Sequence, residues 1–274
     1  MTATTPGRPT NAAIDERLVA AIAAARLAAA DTLRWFNSPT LVVDTKADAS
    51  PVTQADRAAE AILRGQLLGA FPDDAFLGEE TGATAGTSGY EWIVDPIDGT
   101  KSFIRGVPLY ATLVGCRQAG QGVLGVIAIP ALDEMVYAAR GAGAWHVRGS
   151  AAPVPARVSA RATLRESLVC SSDFTSFARW SAGRAAGDAA RGRIESACGV
   201  VRTWGDGYGY LLVATGRADV MIDPLLNAWD AAAVETVVTE AGGRFTDWRG
   251  RPSIDSGDGV ATNGLVHDAV LGCL

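Results

Sequence analysis

The chain has 274 residues, of which 48% are apolar and 20% charged, a composition typical of a folded globular protein. Its formal net charge of −6 argues against the broadly basic surface that binds nucleic acid through phosphate neutralisation. No stretch is apolar over the length of a membrane span, and the N-terminus lacks the charged-then-apolar pattern of an export signal. We therefore expect a cytoplasmic protein of one large or two small domains, without a nucleic-acid or membrane partner.

The cysteines and histidines are scattered along the chain. No two cysteines form a C-x-x-C pair, and neither histidine has a second metal ligand at short spacing. The pattern excludes a zinc site and a disulfide framework, and it predicts buried free thiols. The residues concerned are Cys116, Cys170, Cys198, Cys273, His146 and His267.

Two helices are predicted near the N-terminus. Residues 1–12 are polar and lack periodicity, which predicts a loose tail. The alanine-rich segment 13–36 carries apolar residues on one side, with Asn11 as its predicted cap. A second helix is predicted over 55–68. The residues expected to face the core are Ile14, Leu18, Ile22, Leu33 and Phe36 in the first helix, and Ile62, Leu63 and Leu67 in the second.

Strand patterns dominate the middle of the chain, where Gly or Pro separates apolar runs and predicts an antiparallel meander. We assign 13–149 to an N-terminal α+β half. The Ala-, Pro- and Arg-rich segment 150–165 opens a C-terminal α/β half, 150–274, in which strands alternate with helices. The predicted strands are 91–95, 109–117, 122–129, 134–139, 167–171, 218–222, 243–246 and 259–262, and the later helices are 207–215, 231–241 and 265–274.

The segment W-I-V-D-P-I-D-G-T at 92–100 carries the densest chemical signal. A strand is predicted to end at Asp95, a proline turns the chain, and Asp98 follows. The turn can present the carbonyl of Ile97 as another oxygen ligand for a hard cation such as Mg²⁺. Gly99 permits close backbone approach, and a helix beginning near Thr100 would direct free N–H groups at a phosphate. A surface Asp-Pro turn is the competing interpretation.

Three further acidic segments each have an ordinary structural explanation as well. Glu79, in G-E-E-T at 78–81, would be solvated charge at the end of a strand. Asp230 directly precedes the predicted helix 231–241 and would serve as its N-cap. Asp56 stands three residues after Thr53, as in a capping box.

Taken together, these segments resemble the inositol monophosphatase family of Mg²⁺-dependent phosphatases. The matching segments, in the family's order and spacing, are K-A-D-A-S-P-V-T-Q-A-D at 46–56, G-E-E-T at 78–81, W-I-V-D-P-I-D-G-T at 92–100 and W-D-A-A-A-V-E-T-V-V-T-E-A-G-G at 229–243. The resemblance extends from about residue 13 to the end, and the combination is far more specific than any single segment. It implies an αβαβα sandwich of the inositol monophosphatase and fructose-bisphosphatase type, and a homodimer.

The resemblance also implies which residues bind metal. Glu79, Asp95 and the carbonyl of Ile97 would bind a first Mg²⁺ ion, and Asp95, Asp98 and Asp230 a second. A third ion near Glu79 would make two to three ions in each active site. Several converging carboxylates repel one another and a phosphate dianion, so their convergence requires divalent cations between them.

The remaining implied roles concern the phosphate and the attacking water. Asp98, Gly99 and Thr100 would contact the phosphate. Thr100, oriented by Asp56, would act with Glu79 to position and deprotonate the water. Lys46 lies where the family carries a lysine on a mobile loop near the third metal ion.

The C-terminal half is most similar to the histidinol-phosphate phosphatase branch of the family, in R-T-W-G-D-G-Y-G-Y at 202–210 and M-I-D-P-L-L-N-A-W-D at 221–230. Asp206 and Asp223 would then face the organic part of the substrate, and a carboxylate at 206 would pair with its ammonium or imidazole. Asn227 would add a hydrogen bond. A helix N-cap is the other interpretation of Asp206. Arg202 would bind substrate or hold Asp206, and these two alternatives stay open.

The expected reaction is hydrolysis of L-histidinol phosphate to L-histidinol, a step of histidine biosynthesis. An inositol-1-phosphate phosphatase, or a broad phosphatase acting on sugar or nucleotide phosphates, is the alternative within the family. A non-catalytic, metal-stabilised interaction protein is the alternative outside enzymes, and the intact set of acidic residues argues against it.

Overall fold

A computed structural model describes residues 12–46 and 50–274. The predicted tail, apart from residue 12, and the predicted cap Asn11 lie outside the described residues. The helices are α1 (Ala12–Trp35), α2 (Gln54–Ala70), α3 (Thr100–Phe103), α4 (Arg184–Ala197), α5 (Gly207–Ala214), α6 (Ala228–Glu240) and α7 (His267–Leu271). The strands are β1 (Val43–Thr45), β2 (Pro51–Thr53), β3 (Ala75–Gly78), β4 (Gly82–Thr84), β5 (Tyr90–Asp98), β6 (Ala111–Gln118), β7 (Gln121–Ile129), β8 (Glu134–Ala139), β9 (Gly143–Arg148), β10 (Val154–Ala156), β11 (Leu168–Cys170), β12 (Val200–Arg202), β13 (Val220–Asp223), β14 (Arg244–Thr246) and β15 (Gly259–Thr262).

Two sheets and three helix layers form the αβαβα sandwich that the resemblance implied. The larger sheet has the order β10-β9-β8-β7-β6-β5-β3-β4, and the smaller one β12-β11-β13-β15-β14. Helices α1 and α2 cover the outer face of the larger sheet, and α5 and α6 form an apolar core between the two sheets. Helices α4 and α7 pack on the far face of the smaller sheet.

The meander predicted for the middle of the chain is confirmed. Strands β5 to β10 pair antiparallel in chain order, as alternating buried runs joined by short turns favour. Strand β3 is the exception, because it pairs parallel with β5, with Gly78 opposite Val94. That parallel pairing places the C-terminal end of β3 beside the part of β5 that leads into Asp95.

Helix α1 buries alanines where larger residues were expected. Ala21, Ala24, Ala25 and Ala28 are fully buried, whereas Leu33, predicted to face the core, is 44% exposed. Small side chains let α1 lie close to α2 and to the sheet. The need for close packing, and not the size of the side chains, therefore determines which face of α1 is buried. In α2 the expected Leu63 and Leu67 are fully buried.

The C-terminal half differs from the prediction in detail. Helix α6 begins at Ala228, three residues early, and α4 was not predicted because its sequence is rich in Arg, Ala and Gly and its one large buried residue is Ile194. Division of the chain after residue 149 stays a prediction. Strand β10 extends the larger sheet, and α5 and α6 share the central core with it.

Within the described residues, no helix is both long enough and apolar enough to cross a bilayer.

Candidate active site

The parallel pairing of β3 and β5 brings two acidic segments of the chain together. Because Gly78 lies opposite Val94, the residues that follow, Glu79 and Asp95, emerge side by side. The Glu79 N–H donates to the carbonyl of Val94 at 3.3 Å, which continues the ladder by one residue. Glu79 is therefore a neighbour of Asp95, and is not merely solvated charge at a strand end.

Strand β5 does not end at Asp95, contrary to the prediction. Its register shifts between Asp95 and Asp98, and Asp98 pairs again with Ala111 of β6. Pro96, which lacks an N–H, occupies this irregularity, where the ladder needs no donor. The Asp95 carboxylate accepts from the Ile97 N–H at 3.0 Å. The bulge thus lets the two carboxylates approach each other, with an oxygen of one within 4.8 Å of an oxygen of the other.

Asp230 reaches the same place from the first turn of α6. Helix α6 lies directly on the larger sheet because the residues that face each other are small on both sides. A Cβ added to Gly125 would come within 2.2 Å of the Ala233 carbonyl oxygen. The N-cap of α6 is Asn227, so Asp230 is not the cap. Its carboxylate accepts from the Asn227 N–H at 2.8 Å, in the manner of a capping box.

Asp95, Asp98 and Asp230 form a cluster in which one oxygen from each carboxylate lies within 4.8 Å of the others. Burial, followed by the charge of Glu79, raises the pKa of Asp95 well above its usual value. Burial, followed by the charge of Asp206, does the same to the pKa of Asp98. Burial raises the pKa of Asp230 to about 7. Burial and the neighbouring negative charges thus both disfavour the ionised form of these carboxyl groups.

The chemistry of the donor set fits Mg²⁺. The clustered side chains offer only carboxylate oxygens, the ligands that this hard cation prefers. A cation among them would offset both the burial and the mutual repulsion that raise their pKa values. The carbonyl of Ile97 lies nearby and accepts from the Thr100 hydroxyl at 3.1 Å.

Lys46 follows β1 and contacts the two glutamates of the turn after β3. Its ammonium group donates to Glu79 at 2.8 Å and to Glu80 at 2.7 Å. Although burial opposes the charge, these two hydrogen bonds raise the pKa of Lys46. Residues 47–49 are outside the described part of the chain, so the mobility predicted for this loop stays a prediction.

Asp56 has both of the roles considered for it. One carboxylate oxygen accepts from the Thr53 N–H at 2.8 Å and from the Thr53 hydroxyl at 2.6 Å, which completes the capping box of α2. The other oxygen accepts from the Thr100 hydroxyl at 3.3 Å. Gly99 precedes Thr100 in the left-handed region, at φ 86°, and caps α3, which is a single turn. Asp56, a buried residue of the α2 capping box, thereby orients the hydroxyl of Thr100 in α3.

Five of the seven predicted phosphate- and substrate-binding residues line two adjoining cavities beside the cluster. A cleft of about 280 Å³ is lined by Glu79, Thr100, Asp206 and Asp223. A cavity of about 90 Å³ shares Asp206 and Asp223 and also reaches Asp230. Burial raises the pKa of Asp206 and brings that of Asp223 to about 6. These two carboxylates, Asp206 and Asp223, form an acidic wall of the cleft, and Asp206 lies next to the predicted phosphate-binding residue Gly99.

Asp206 occupies the N-cap position of α5, yet its side chain makes no capping hydrogen bond. The Gly207 N–H at that helix end donates to Asp98 instead. A Cβ at Gly99 would lie 2.5 Å from an Asp206 carboxylate oxygen, so this glycine admits the close approach of Asp206. Asp206 is at the N-cap position, as the alternative interpretation predicted. Its carboxylate nevertheless lines the cleft and does not cap the helix.

Two predicted residues lie at the margins of this site. Asn227 is exposed and caps α6. Arg202 is exposed, donates to the carbonyl of Val201 at 2.7 Å and lies 5.9 Å from the ring of Trp204. The residues lining the two cavities do not include Arg202 or Asn227, and their roles in substrate binding stay predictions.

Sequence reasoning missed the residues that hold the acidic wall. The Tyr210 hydroxyl donates to Asp223 at 2.9 Å, and the Ser172 N–H donates to its other oxygen at 3.0 Å. Tyr210 itself is 2% exposed and belongs to the core between the sheets. Lys101 and Arg179 also line the cleft and carry positive charge at its edge.

The sandwich places a carboxylate cluster, whose oxygen donors suit a divalent cation, beside a small polar cleft. Residues 13–272 match the family described as "Inositol monophosphatase family". A histidinol-phosphatase of Chlorobaculum parvum is 44% identical over 84% of this chain and 85% of its own length. One from Mycobacterium tuberculosis is 42% identical over 86% and 89%. The crystal structure of the extragenic suppressor protein suhB from Bartonella henselae superposes with a TM-score of 0.82, at 30% identity, over 95% and 98% of the two chains. The chain belongs to the inositol monophosphatase family.

We expect Mg²⁺ to raise the melting temperature and to remove a pH dependence of the metal-free protein. In the unfolded chain these carboxyls have pKa values near 4, whereas folding raises them, to about 7 for Asp230 and about 6 for Asp223. Between those limits the folded state binds more protons, so the metal-free protein gains stability as the pH falls from about 8 to about 5. Bound Mg²⁺ stabilises the ionised, folded form.

Differential scanning fluorimetry in EDTA and in Mg²⁺, at pH 8 and pH 6, measures both effects. Identical melting curves in EDTA and Mg²⁺ would contradict the metal site.

Proposed function

We propose that this protein is a Mg²⁺-dependent phosphomonoesterase that hydrolyses L-histidinol phosphate to L-histidinol and phosphate. The observation that carries the proposal is that Asp98 and Asp230 of the metal cluster line the same small cavity as a second pair of carboxylates, Asp206 and Asp223. The first group suits metal ions and a phosphate, and the second suits a cationic organic group. The histidinol-phosphatases at 44% and 42% identity support the same substrate.

Glu79, Asp95, Asp98, Asp230 and the carbonyl of Ile97 would hold the ions, two to three of them by family resemblance. Bound Mg²⁺ would supply charge neutralisation for the phosphate and acidify the attacking water. The chain's own residues then have to orient that water and receive its proton.

We assign those tasks to Thr100 and Glu79. Because the Thr100 hydroxyl donates its hydrogen to Asp56 or to the Ile97 carbonyl, its oxygen is free to accept a hydrogen bond from water. Glu79 lines the same cleft and would accept the proton. The water oxygen bonds to phosphorus while the ester P–O bond breaks, and the leaving alkoxide gains a proton.

The organic part of the substrate would be held by the acidic wall. Histidinol phosphate carries an ammonium group and an imidazole, and a half-buried carboxylate binds such cations through charge-assisted hydrogen bonds. Asp223 accepts from the Tyr210 hydroxyl and the Ser172 N–H, whereas Asp206 pairs with the Ser172 side chain and makes no capping hydrogen bond to α5. We therefore assign cation binding chiefly to Asp206.

The variant Asp206→Asn is expected to raise KM for histidinol phosphate about tenfold, since one charge-assisted hydrogen bond is lost. KM for an ester whose organic part carries no positive charge, such as glycerol phosphate, should stay within about twofold, because that substrate offers Asp206 no cation. Steady-state kinetics on both substrates measures the difference. Equal changes for the two esters would assign Asp206 a purely structural role at the start of α5.

A substrate panel tests the proposed function directly. Phosphate release in Mg²⁺ is compared for histidinol phosphate, inositol 1-phosphate, a sugar phosphate and a nucleotide 3′-phosphate. A kcat/KM for inositol 1-phosphate well above that for histidinol phosphate would overturn the substrate assignment. Absence of any Mg²⁺-dependent release would favour the non-catalytic alternative.

We further propose that the protein acts in the cytoplasm as a homodimer. Three of its four cysteines, all free, are buried thiols, which suits a reducing compartment. Light scattering coupled to size-exclusion chromatography measures the oligomeric state, and a monomer mass would contradict the dimer.

A further inference from the structure

A second carboxylate of α2 lies next to the metal-binding segment without facing the cavity. Glu60 is one helical turn after Asp56 and therefore on the same face of α2. Its side chain is fully buried at 0% exposure. It lies against the turn that joins β3 to β4, the turn that carries Glu79.

The Glu60 carboxylate accepts three hydrogen bonds from that turn. One oxygen accepts from the Glu80 N–H at 2.8 Å, and the other accepts from the Thr81 N–H at 2.7 Å and the Thr81 hydroxyl at 2.5 Å. A tight turn cannot satisfy these N–H groups within itself, and leaving a buried donor unpaired costs about 1–3 kcal/mol. Glu60 is thus the acceptor that fixes the turn.

Gly78 shows how closely the two elements approach. A Cβ built at this position would lie 2.5 Å from the carboxyl carbon of Glu60, closer than any side chain tolerates. The glycine of the G-E-E-T segment is therefore required by Glu60. On the other side, the Glu79 N–H is held by Val94. The backbone of Glu79 is consequently fixed between strand β5 and helix α2.

We propose that Glu60 is a positioning residue that sets the orientation of Glu79 toward the metal ions and the attacking water. The inference rests on the proposed metal-dependent function. Through Asp56 and Glu60, helix α2 holds both groups assigned to the water, Thr100 and Glu79, in one rigid frame. Partners of metal ligands commonly change metal affinity or activity by about 10–100-fold when altered.

The variant Glu60→Gln tests the proposal. Glutamine keeps the size of the side chain but replaces one acceptor oxygen by an NH₂ donor, which meets an N–H of the turn. We expect the Mg²⁺ concentration for half-maximal activity to rise about tenfold and kcat to fall about tenfold, with KM for the substrate nearly unchanged. Calorimetric titration of Mg²⁺ into the protein without substrate should show the same loss of affinity.

Asp74→Asn is the matched control. Asp74 is also a buried carboxylate, 2% exposed, but it accepts from Arg17 and Ser88, away from the residues that line the two cavities. We expect this variant to lower the melting temperature while the Mg²⁺ titration stays as in the wild type. A Glu60→Gln variant with the same behaviour would overturn the proposal and leave Glu60 a purely structural role.

Thr81→Val decides the question if Glu60→Gln does not fold. It removes only one of the three donors to Glu60, so a smaller shift of the Mg²⁺ titration in the same direction is expected, and an unchanged titration would overturn the proposal. The wild-type titration separates the two levels of inference. A wild type that binds no Mg²⁺ contradicts the proposed function, whereas equal binding by wild type and Glu60→Gln contradicts only the role of Glu60.

Discussion

The variant Asp95→Asn is expected to lose phosphatase activity by at least about 10³-fold while its metal-free form melts at a higher temperature than the wild type. The loss of activity follows because Asp95 is the proposed ligand shared by two ions, which supply most of the charge stabilisation. The gain in stability follows because burial, followed by the charge of Glu79, raises the pKa of Asp95, and the amide removes both the buried charge and the repulsion. Asparagine also keeps an oxygen to accept from the Ile97 N–H.

Asp219→Asn provides the opposite case. Asp219 is fully buried too, but it accepts from the Leu168 N–H at 2.7 Å and from Arg161 at 3.2 Å. Loss of its charge should destabilise the protein by about 2 kcal/mol and leave kcat unchanged. Phosphate-release assays and melting curves in EDTA measure both variants. A destabilised Asp95→Asn protein that retains activity would contradict the assignment of Asp95 to the metal centre.

The variant Thr100→Val is expected to lower kcat by about 10²–10³-fold with little change in KM. Valine has the shape of threonine but lacks the hydroxyl that would position the attacking water, a contribution of the size that general acid–base groups make. Asp56 keeps its hydrogen bonds from Thr53, so we expect the melting temperature to stay within a few degrees.

Thr100→Ser is the matched control, because serine retains the hydroxyl, and its kcat should remain within about tenfold of the wild type. Steady-state kinetics at saturating Mg²⁺ compares the three proteins. A valine variant as active as the serine variant would show that the hydroxyl has no part in activating water.

Helix α2 connects these predictions physically. Its first turn presents Asp56 to Thr100, and the next turn presents Glu60 to the segment of Glu79. Neither carboxylate belongs to the Asp95, Asp98 and Asp230 cluster, so each is free to act as a rigid acceptor. An acidic protein can therefore hold an anionic substrate, because some carboxylates would bind cations while others orient the groups around them.

Local patterns in the sequence determined the types of most elements and indicated the chemistry of the site. The alternating apolar runs around residues 109–139 specify a meander, because strand period and short turns are local properties. The spacing of Asp95 and Asp98 likewise indicates an oxygen-rich metal site without knowledge of the fold, and the four motif segments in order indicate the family.

The tertiary structure alone decided how the acidic segments meet. The parallel pairing of β3 with β5 puts Glu79 beside Asp95, and the close packing of α6 on Gly115 and Gly125 brings Asp230 to them. It also decided that alanines form the buried face of α1 and that Glu60 holds the Glu79 turn. Such outcomes depend on contacts between residues far apart in the chain, and the periodicity of a single segment carries no information about which distant segment it will meet.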